Sequence, residues 1–182
     1  FYYQLYQYDK AIPEFEKAFE LFNKWDSRPR WSQEYTMPGV IYHKTNQYKK
    51  EKKLYRIAER YFPNDPELIY NQVILELTEG DTVAANKDIR KYISVRKGNS
   101  WAEADITASL ASIYSEAGML DKAEAYYRKA HVMLQDNPGK LSSMQINNPY
   151  RLNNLTWFLI DKGRNITEGL ELADRALILQ PD

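Results

Sequence analysis

The stretch AGMLDKAEAYYRKAHVMLQDNP, residues 117–138, predicts a helix that packs closely against a second helix. Gly118 is followed five residues later by Ala123, and Ala123 is followed seven residues later by Ala130. An amphipathic helix could bury leucine as well as alanine, so small residues at fixed places indicate that another helix comes very near. Because a single helical hairpin cannot bury its own apolar face, we expect the same spacing elsewhere in the chain.

The spacing of small residues recurs five times. Glu51 departs from it, and because a buried charge is costly we expect its carboxylate to reach solvent or to find a lysine or a tyrosine hydroxyl. The two positions of the spacing are occupied in chain order by Ala11 and Ala18, Glu51 and Ala58, Ala85 and Tyr92, Ala123 and Ala130, and Gly169 and Ala176.

Helix start and stop signals lie between these positions. Asp65 before Pro66 predicts an N-cap, and Ser100 with Glu103 predicts a capping box. Asn165, three residues before Glu168, predicts a further helix start. Residues that tolerate the left-handed conformation at a helix end are expected in the turn inside each helix pair. The turn positions are Asn46, Gly80, Gly118 and Gly163, with Tyr6 in the equivalent place of the first repeat.

With these residues the chain resembles a tandem tetratricopeptide repeat protein, a family whose unit is two antiparallel helices in about 34 residues. The resemblance implies an all-α fold, a right-handed α-solenoid of antiparallel helix pairs that forms a superhelix. The residues that carry it are Pro38, Gly39, Tyr42, Tyr55, Ala58 and Pro63 in the second unit, and Leu110, Ala111, Tyr114, Gly118, Ala123, Tyr127 and Ala130 in the fourth.

The resemblance extends over residues 1–182 and implies one solenoid, expected to be a segment of a longer, bacterial-type protein. Apolar side chains on the last helix have no capping helix after them. A homo-oligomer that forms through the ends of the solenoid is therefore an open alternative. The expected units are 1–31, with its first helix truncated, 32–65, 66–100, 101–148 and 149–182.

The composition restricts the classes of partner and chemistry. Lysine and arginine number 25 and aspartate and glutamate number 25, so no global charge attracts nucleic acid or a membrane surface. The chain has no cysteine, and its two histidines, His43 and His131, lie far apart. We therefore predict no enzyme activity, no metal and no cofactor. No apolar run is long enough to span a membrane, and the compartment, cytoplasm or periplasm, stays open.

A basic cluster at residues 48–60 has two interpretations. Lys49, Lys53, Arg56 and Arg60 lie on one helical stripe, which is suited either to an acidic partner or nucleic acid, or to solvent. The neutral charge of the chain favours the solvated face. The residues between the first two units, KWDSRPRW (24–31), form one of three longer connections that are candidates for contacts with other domains.

The resemblance places function in the concave groove, which the first helix of every unit lines in this family. It implies a protein-binding or peptide-binding scaffold, with Tyr70 and Trp157 as aromatic anchors unless Trp157 packs against the following helix. The alternatives are a structural or oligomerisation spacer in a larger protein, and an accessory region of an enzyme whose catalytic domain lies elsewhere. Members of the family that bind chaperone tails hold a terminal carboxylate with a lysine and asparagines in this groove. Those residues are missing from the groove positions of this chain. The candidate groove residues are Val40, His43, Lys44, Glu67, Tyr70, Ile74, Ser112, Ser115, Asn153, Trp157 and Asp161.

Overall fold

All regular structure in the described residues is α-helical. The computed structural model describes residues 7–25, 27–136 and 149–179. The prediction of an all-α fold is confirmed for this part of the chain. The helices are α1 (Tyr8–Lys24), α2 (Gln33–Lys44), α3 (Tyr48–Tyr61), α4 (Pro66–Thr78), α5 (Thr82–Gly98), α6 (Glu103–Glu116), α7 (Leu120–Asp136), α8 (Pro149–Asp161) and α9 (Ile166–Leu179).

Two of the predicted helix starts are confirmed by side-chain caps. The carboxylate of Asp65 accepts the backbone N–H of Leu68 at 2.8 Å and precedes the proline that opens α4. Asn165 accepts the backbone N–H of Glu168 at 3.1 Å, and its amide donates back to that side chain at 3.0 Å. Each cap satisfies a donor that the first helical turn leaves without a partner.

The predicted capping box at Ser100 is wrong. Ser100 has a φ of 61°, and the N-cap of α6 is Ala102, which makes no side-chain cap. The backbone N–H of Trp101 instead donates to the carbonyl oxygen of Arg96 at 3.1 Å. Ser100 therefore ends α5 in a left-handed turn instead of starting α6.

The turns inside the helix pairs have the expected left-handed backbone. The residue Asn46, shortly after α2, has a φ of 57°, and Gly80, Gly118 and Gly163 have φ values of 79°, 76° and 61°. Side chains with a Cβ rarely adopt this conformation, which explains why glycine and asparagine occupy these places. The equivalent Tyr6 lies outside the described residues.

The small residues of the repeat lie where helices cross. Nine of the ten positions are buried, and only Ala18 is partly exposed. Tyr92 fills one small position with a fully buried ring. Helices α2 and α3 cross closely, because a Cβ at Gly39 would clash with the outer edge of the Tyr55 ring.

The chain divides into two compact units, Phe1–Val95 (unit 1) and Arg96–Asp182 (unit 2). One solenoid of five repeats stays a prediction, and each unit is described by itself. In the described residues, none of the helices has the length and apolar character that crossing a membrane requires. The core of unit 1 is built around Tyr35, Tyr42, Leu54, Tyr55, Ala58, Leu68 and Leu75, and that of unit 2 includes Ala111, Ile113, Ala123 and Leu159.

Glu76 on α4 makes the stability of unit 1 sensitive to pH. Burial, together with the charges of Asp88 and Asp81, raises the pKa of Glu76 to about 7. The pKa of this carboxyl is higher in the folded than in the unfolded chain. Its contribution to stability is therefore fully present below the unfolded-state pKa, and that contribution is lost as the pH rises through the folded-state pKa. Between about pH 4.5 and pH 7, we expect about 1–2 kcal/mol of unfolding free energy to be lost through this group, discounted for its partial exposure.

Chemical unfolding of wild type and Glu76→Gln at several pH values measures this effect. The difference between the two proteins should change with pH in that window, with the variant gaining relative stability toward neutral pH. The same substitution at the exposed Glu171 is the control. A difference that does not vary with pH would contradict the assignment.

Candidate functional site

A cleft of about 510 Å³ opens in unit 2 between α6, α7 and α8. We call it the unit 2 cleft. Its volume lies within the range of about 300–1,000 Å³ that is usual for ligand sites. The lining residues are Ser112, Ser115, Glu116, Tyr127, Asn153, Asn154, Trp157, Phe158, Asp161 and Lys162.

Helix periodicity brings five of the predicted site residues together in this cleft. Ser112 and Ser115 lie one turn apart on α6, and Asn153, Trp157 and Asp161 follow each other at four-residue intervals on α8. Positions three or four residues apart share one helix face. The apolar residues on the other faces of these helices are buried, so the fold turns the predicted face outward.

Two aromatic rings that pack against each other at a tilt of 41° line the cleft. The centroids of Tyr127 and Phe158 are 5.1 Å apart, and Phe158 is buried. Burial raises the pKa of Tyr127, although its hydrogen bond with Ser112 acts in the opposite direction. Both rings are held by packing within unit 2, which makes this part of the cleft rigid.

Trp157 is 70% exposed as a residue. It is therefore not buried against the following helix, which was the alternative left open by the sequence. An exposed indole on the wall of a cleft offers a large apolar surface and a single N–H donor to a ligand.

Charged side chains lie beside the indole. Lys162 contacts Asp161 at 2.9 Å, and this hydrogen bond raises the pKa of the lysine. Glu116 also lines the cleft. Two carboxylates and one ammonium group give the cleft a formal excess of one negative charge.

Five lining residues are not among the candidate groove residues, and one of them, Glu116, directly follows Ser115 on α6. Tyr127 belongs to a second helix, whereas the family resemblance assigns the groove to first helices. Phe158 and Asn154 follow predicted neighbours on α8, and Lys162 lies just beyond the end of that helix. Only contact between different helices determines that these side chains meet.

Within the described part of unit 1, the predicted site residues do not line a cleft comparable to that of unit 2. Ile74 is 5% exposed and belongs to the core, so it offers almost no surface to a ligand. Glu67 accepts hydrogen bonds from Thr36 at 3.1 Å and from Gln33 at 3.3 Å, which ties α4 to α2. The remaining residues are Val40 and Tyr70, both partly buried, and Lys44, which is exposed.

His43, another predicted groove residue, pairs with the buried Glu51. Its Nδ1 lies 3.0 Å from a carboxylate oxygen of Glu51, whose side chain is 1% exposed. Burial raises the pKa of Glu51, and the contact with His43 offsets part of that effect. The hydroxyl of Tyr55 also lowers the pKa of Glu51, so the expected tyrosine lies beside this carboxylate. His43 is a further partner that the sequence did not indicate, and its imidazole serves the fold.

The comparisons with known proteins concern the repeat and the fold. The family model described as tetratricopeptide repeat matches residues 104–130, which cover α6 and part of α7. No curated protein matches the sequence.

Two solved structures resemble nearly the whole chain. They are two forms, one of them a single-substitution variant, of a putative kinesin light chain from Podosopora anserina with nearly identical TPR-like repeats. The chain is 14% identical to each and superposes with TM-scores of 0.58 and 0.60, covering 98% of itself and 90% and 89% of those chains. A third, the TPR protein YrrB with an unusual peptide-binding site, is 18% identical with a TM-score of 0.49, covering 100% of this chain and 82% of that one. At these identities the first two likenesses show the fold, and the third is too distant to support an inference.

Proposed function

We propose that this chain of tandem tetratricopeptide repeats is a binding scaffold that holds an extended peptide segment of a protein partner in the unit 2 cleft. The observation that carries the proposal is the exposed indole of Trp157 on a cleft lined by amide and hydroxyl side chains. The proposed role is binding, with no catalysis in the described residues.

The polar residues of the cleft suit a peptide backbone. An extended peptide presents alternating N–H donors and carbonyl acceptors. The carboxamides of Asn153 and Asn154 both donate and accept hydrogen bonds, and so does the hydroxyl of Ser115. These groups line the cleft together with the indole. The cleft can therefore form hydrogen bonds with the peptide backbone while the indole packs against one apolar side chain of the peptide.

The charges of the cleft indicate which peptides fit. Glu116 and Asp161 disfavour an acidic segment, and Lys162 compensates one of the two carboxylates. We infer that the bound segment is neutral or basic beside the residue that contacts Trp157. A spacer or an accessory region has no comparable need for an exposed indole on a cleft.

Replacing Trp157 with alanine tests the proposal. Linear peptides selected on the wild-type chain from a random display library supply the probe, and calorimetry measures their affinity. We expect the substitution to weaken a selected neutral or basic peptide by at least about thirtyfold, or about 2 kcal/mol, because aromatic anchors dominate such interfaces. The melting temperature should change little, since the indole is exposed.

Trp31→Ala is the matched control because Trp31 is similarly exposed, at 67%, but lies in unit 1. It should leave the affinity for the peptide unchanged. The proposal fails if the selected peptides bind the two variants equally well. It also fails if the Trp157 variant loses several degrees of melting temperature, which would assign the indole to the fold.

A further inference from the structure

A second surface, in unit 1, has the form of a binding groove. We propose that the groove between α1 and α3, here the α1–α3 groove, docks an acidic segment of a protein partner that carries one large apolar side chain. It has a volume of about 450 Å³ and lies wholly within unit 1. It is independent of the unit 2 cleft. The side chains that the proposal uses are Phe19, Arg28, Lys53, Ile57 and Tyr61.

The apolar part of the groove is both exposed and well supported. Ile57 and Tyr61 on α3 are 37% and 42% exposed. On the other side, the ring of Phe19 packs 5.4 Å from the buried ring of Tyr35, which holds it in place. Large apolar side chains exposed around a concave surface are a common mark of a protein-binding site.

Helix α3 carries a stripe of cations that lack carboxylate partners, and one of them, Lys53, lines the groove. Lys49, Lys53, Arg56 and Arg60 are all exposed, and among the described residues no carboxylate forms an ion pair with any of the four. Other lysines of the same helix are paired. Lys50 contacts Glu16 at 2.8 Å, and Lys52 contacts Glu79 at 2.5 Å. The unpaired stripe is therefore a local positive surface on a chain that is neutral overall.

A fifth cation occupies a fixed position in the groove. The guanidinium of Arg28 lies 4.4 Å from the centroid of the Tyr61 ring. A cation held on a ring face keeps its N–H donors directed along a defined plane, so they can receive a carboxylate with little loss of conformational freedom. No carboxylate in the described part of the chain pairs with this guanidinium.

The same contact favours an acidic peptide over a nucleic acid. Single strands bind by stacking bases on exposed aromatic faces, and Arg28 covers one face of Tyr61. In addition, Glu16 and Glu20 lie in the wall formed by α1 and would repel a continuous phosphate backbone. A peptide avoids this conflict by directing its apolar side chain between the walls and its carboxylates toward α3.

Charge reversal on α3 tests the proposal. The probe is a short fluorescent peptide of glutamates around one phenylalanine, and fluorescence anisotropy measures its binding at low and high salt. Lys53→Glu combined with Arg60→Glu should weaken binding about tenfold or more, because Lys53 lines the groove and Arg60 belongs to the same positive stripe of α3. Lys87→Glu with Arg90→Glu, two exposed positions on α5, makes the same change of net charge and should have less than about a twofold effect.

Further results separate this site from others. Replacing the peptide's phenylalanine with alanine, or Tyr61 with alanine, should also weaken binding if the apolar groove is used. Equal losses from the two charge-reversed pairs would overturn the proposal, as would a single-stranded oligonucleotide that binds more tightly and displaces the peptide. Loss of binding in Trp157→Ala with none in the α3 variant would place the peptide in the unit 2 cleft, and this proposal would fail while the first stood. Circular dichroism melts confirm that every variant is folded.

Discussion

Replacing Gly39 with alanine is expected to destabilise the protein by about 3 kcal/mol, the upper end of the usual cost of overpacking a core. The added methyl group would clash with the outer edge of the Tyr55 ring, which is buried at 2% exposed. Either the ring leaves its position or α2 and α3 separate. Both responses disturb the core of unit 1, because that ring belongs to it. Denaturant unfolding of both proteins measures the loss.

The sign of this result is informative because alanine is the better helix former. In a helix without steric conflict, replacing glycine with alanine gains up to about 1 kcal/mol. Gly98, the last residue of α5, is such a position, since a Cβ there would meet no atom within 4 Å. Gly98→Ala is therefore the matched control, with a neutral or stabilising effect expected. If both substitutions stabilise the protein, the close contact between α2 and α3 does not exist.

The repeat was predictable from sequence because it depends on local rules. A left-handed turn admits few residue types, so Gly118 and Asn46 indicated a helix end before any tertiary contact was known. The buried small residues followed from helix periodicity, and so did the shared face of Ser112 and Ser115 on α6. In each case, spacing within one helix was enough.

Features that depend on a neighbouring helix were not predictable from the local pattern. Ser100 satisfied the capping-box pattern, yet the end of α5 determines its conformation, with a φ of 61°. The partner of Glu51 lies on the preceding helix, and only the crossing of α2 and α3 brings His43 to it. Tyr127 reaches the unit 2 cleft from a second helix, which the concave-face rule leaves out.

The α1–α3 groove illustrates the same limit for function. The basic stripe on α3 was visible in the sequence, and the neutral composition favoured a solvated face. What the sequence lacked was the wall opposite the stripe, which comes from Phe19 on α1 and from Arg28 in the connection before α2. A charge pattern on one helix does not specify the apolar surface that a neighbouring helix adds to it.

Replacing His43 with alanine is expected to cost about 3 kcal/mol at neutral pH, because it leaves the carboxylate of Glu51 buried without its histidine partner. An ionised carboxylate only accepts hydrogen bonds, so Nδ1 carries the proton in this contact when Glu51 is ionised. Some packing is also lost, since the imidazole lies 5.3 Å from the ring of Tyr48. Unfolding of the double variant His43→Ala/Glu51→Ala separates the two contributions. It should be more stable than His43→Ala, because alanine occupies this position in three other repeats and carries no charge.

The pH dependence of the single variant supplies an independent check. Burial raises the pKa of Glu51, and removing the histidine that opposes this effect raises it further. In the variant, the pKa of Glu51 in the folded state then lies above its pKa in the unfolded state. The contribution of Glu51 to stability is therefore present at low pH, and it is lost as the pH rises through the folded-state pKa. The deficit of His43→Ala relative to wild type should therefore grow as the pH rises above about 4.3, the usual pKa of a glutamate. A deficit that is constant with pH, together with a double variant less stable than the single one, would mean that His43 contributes by packing and that Glu51 needs no partner.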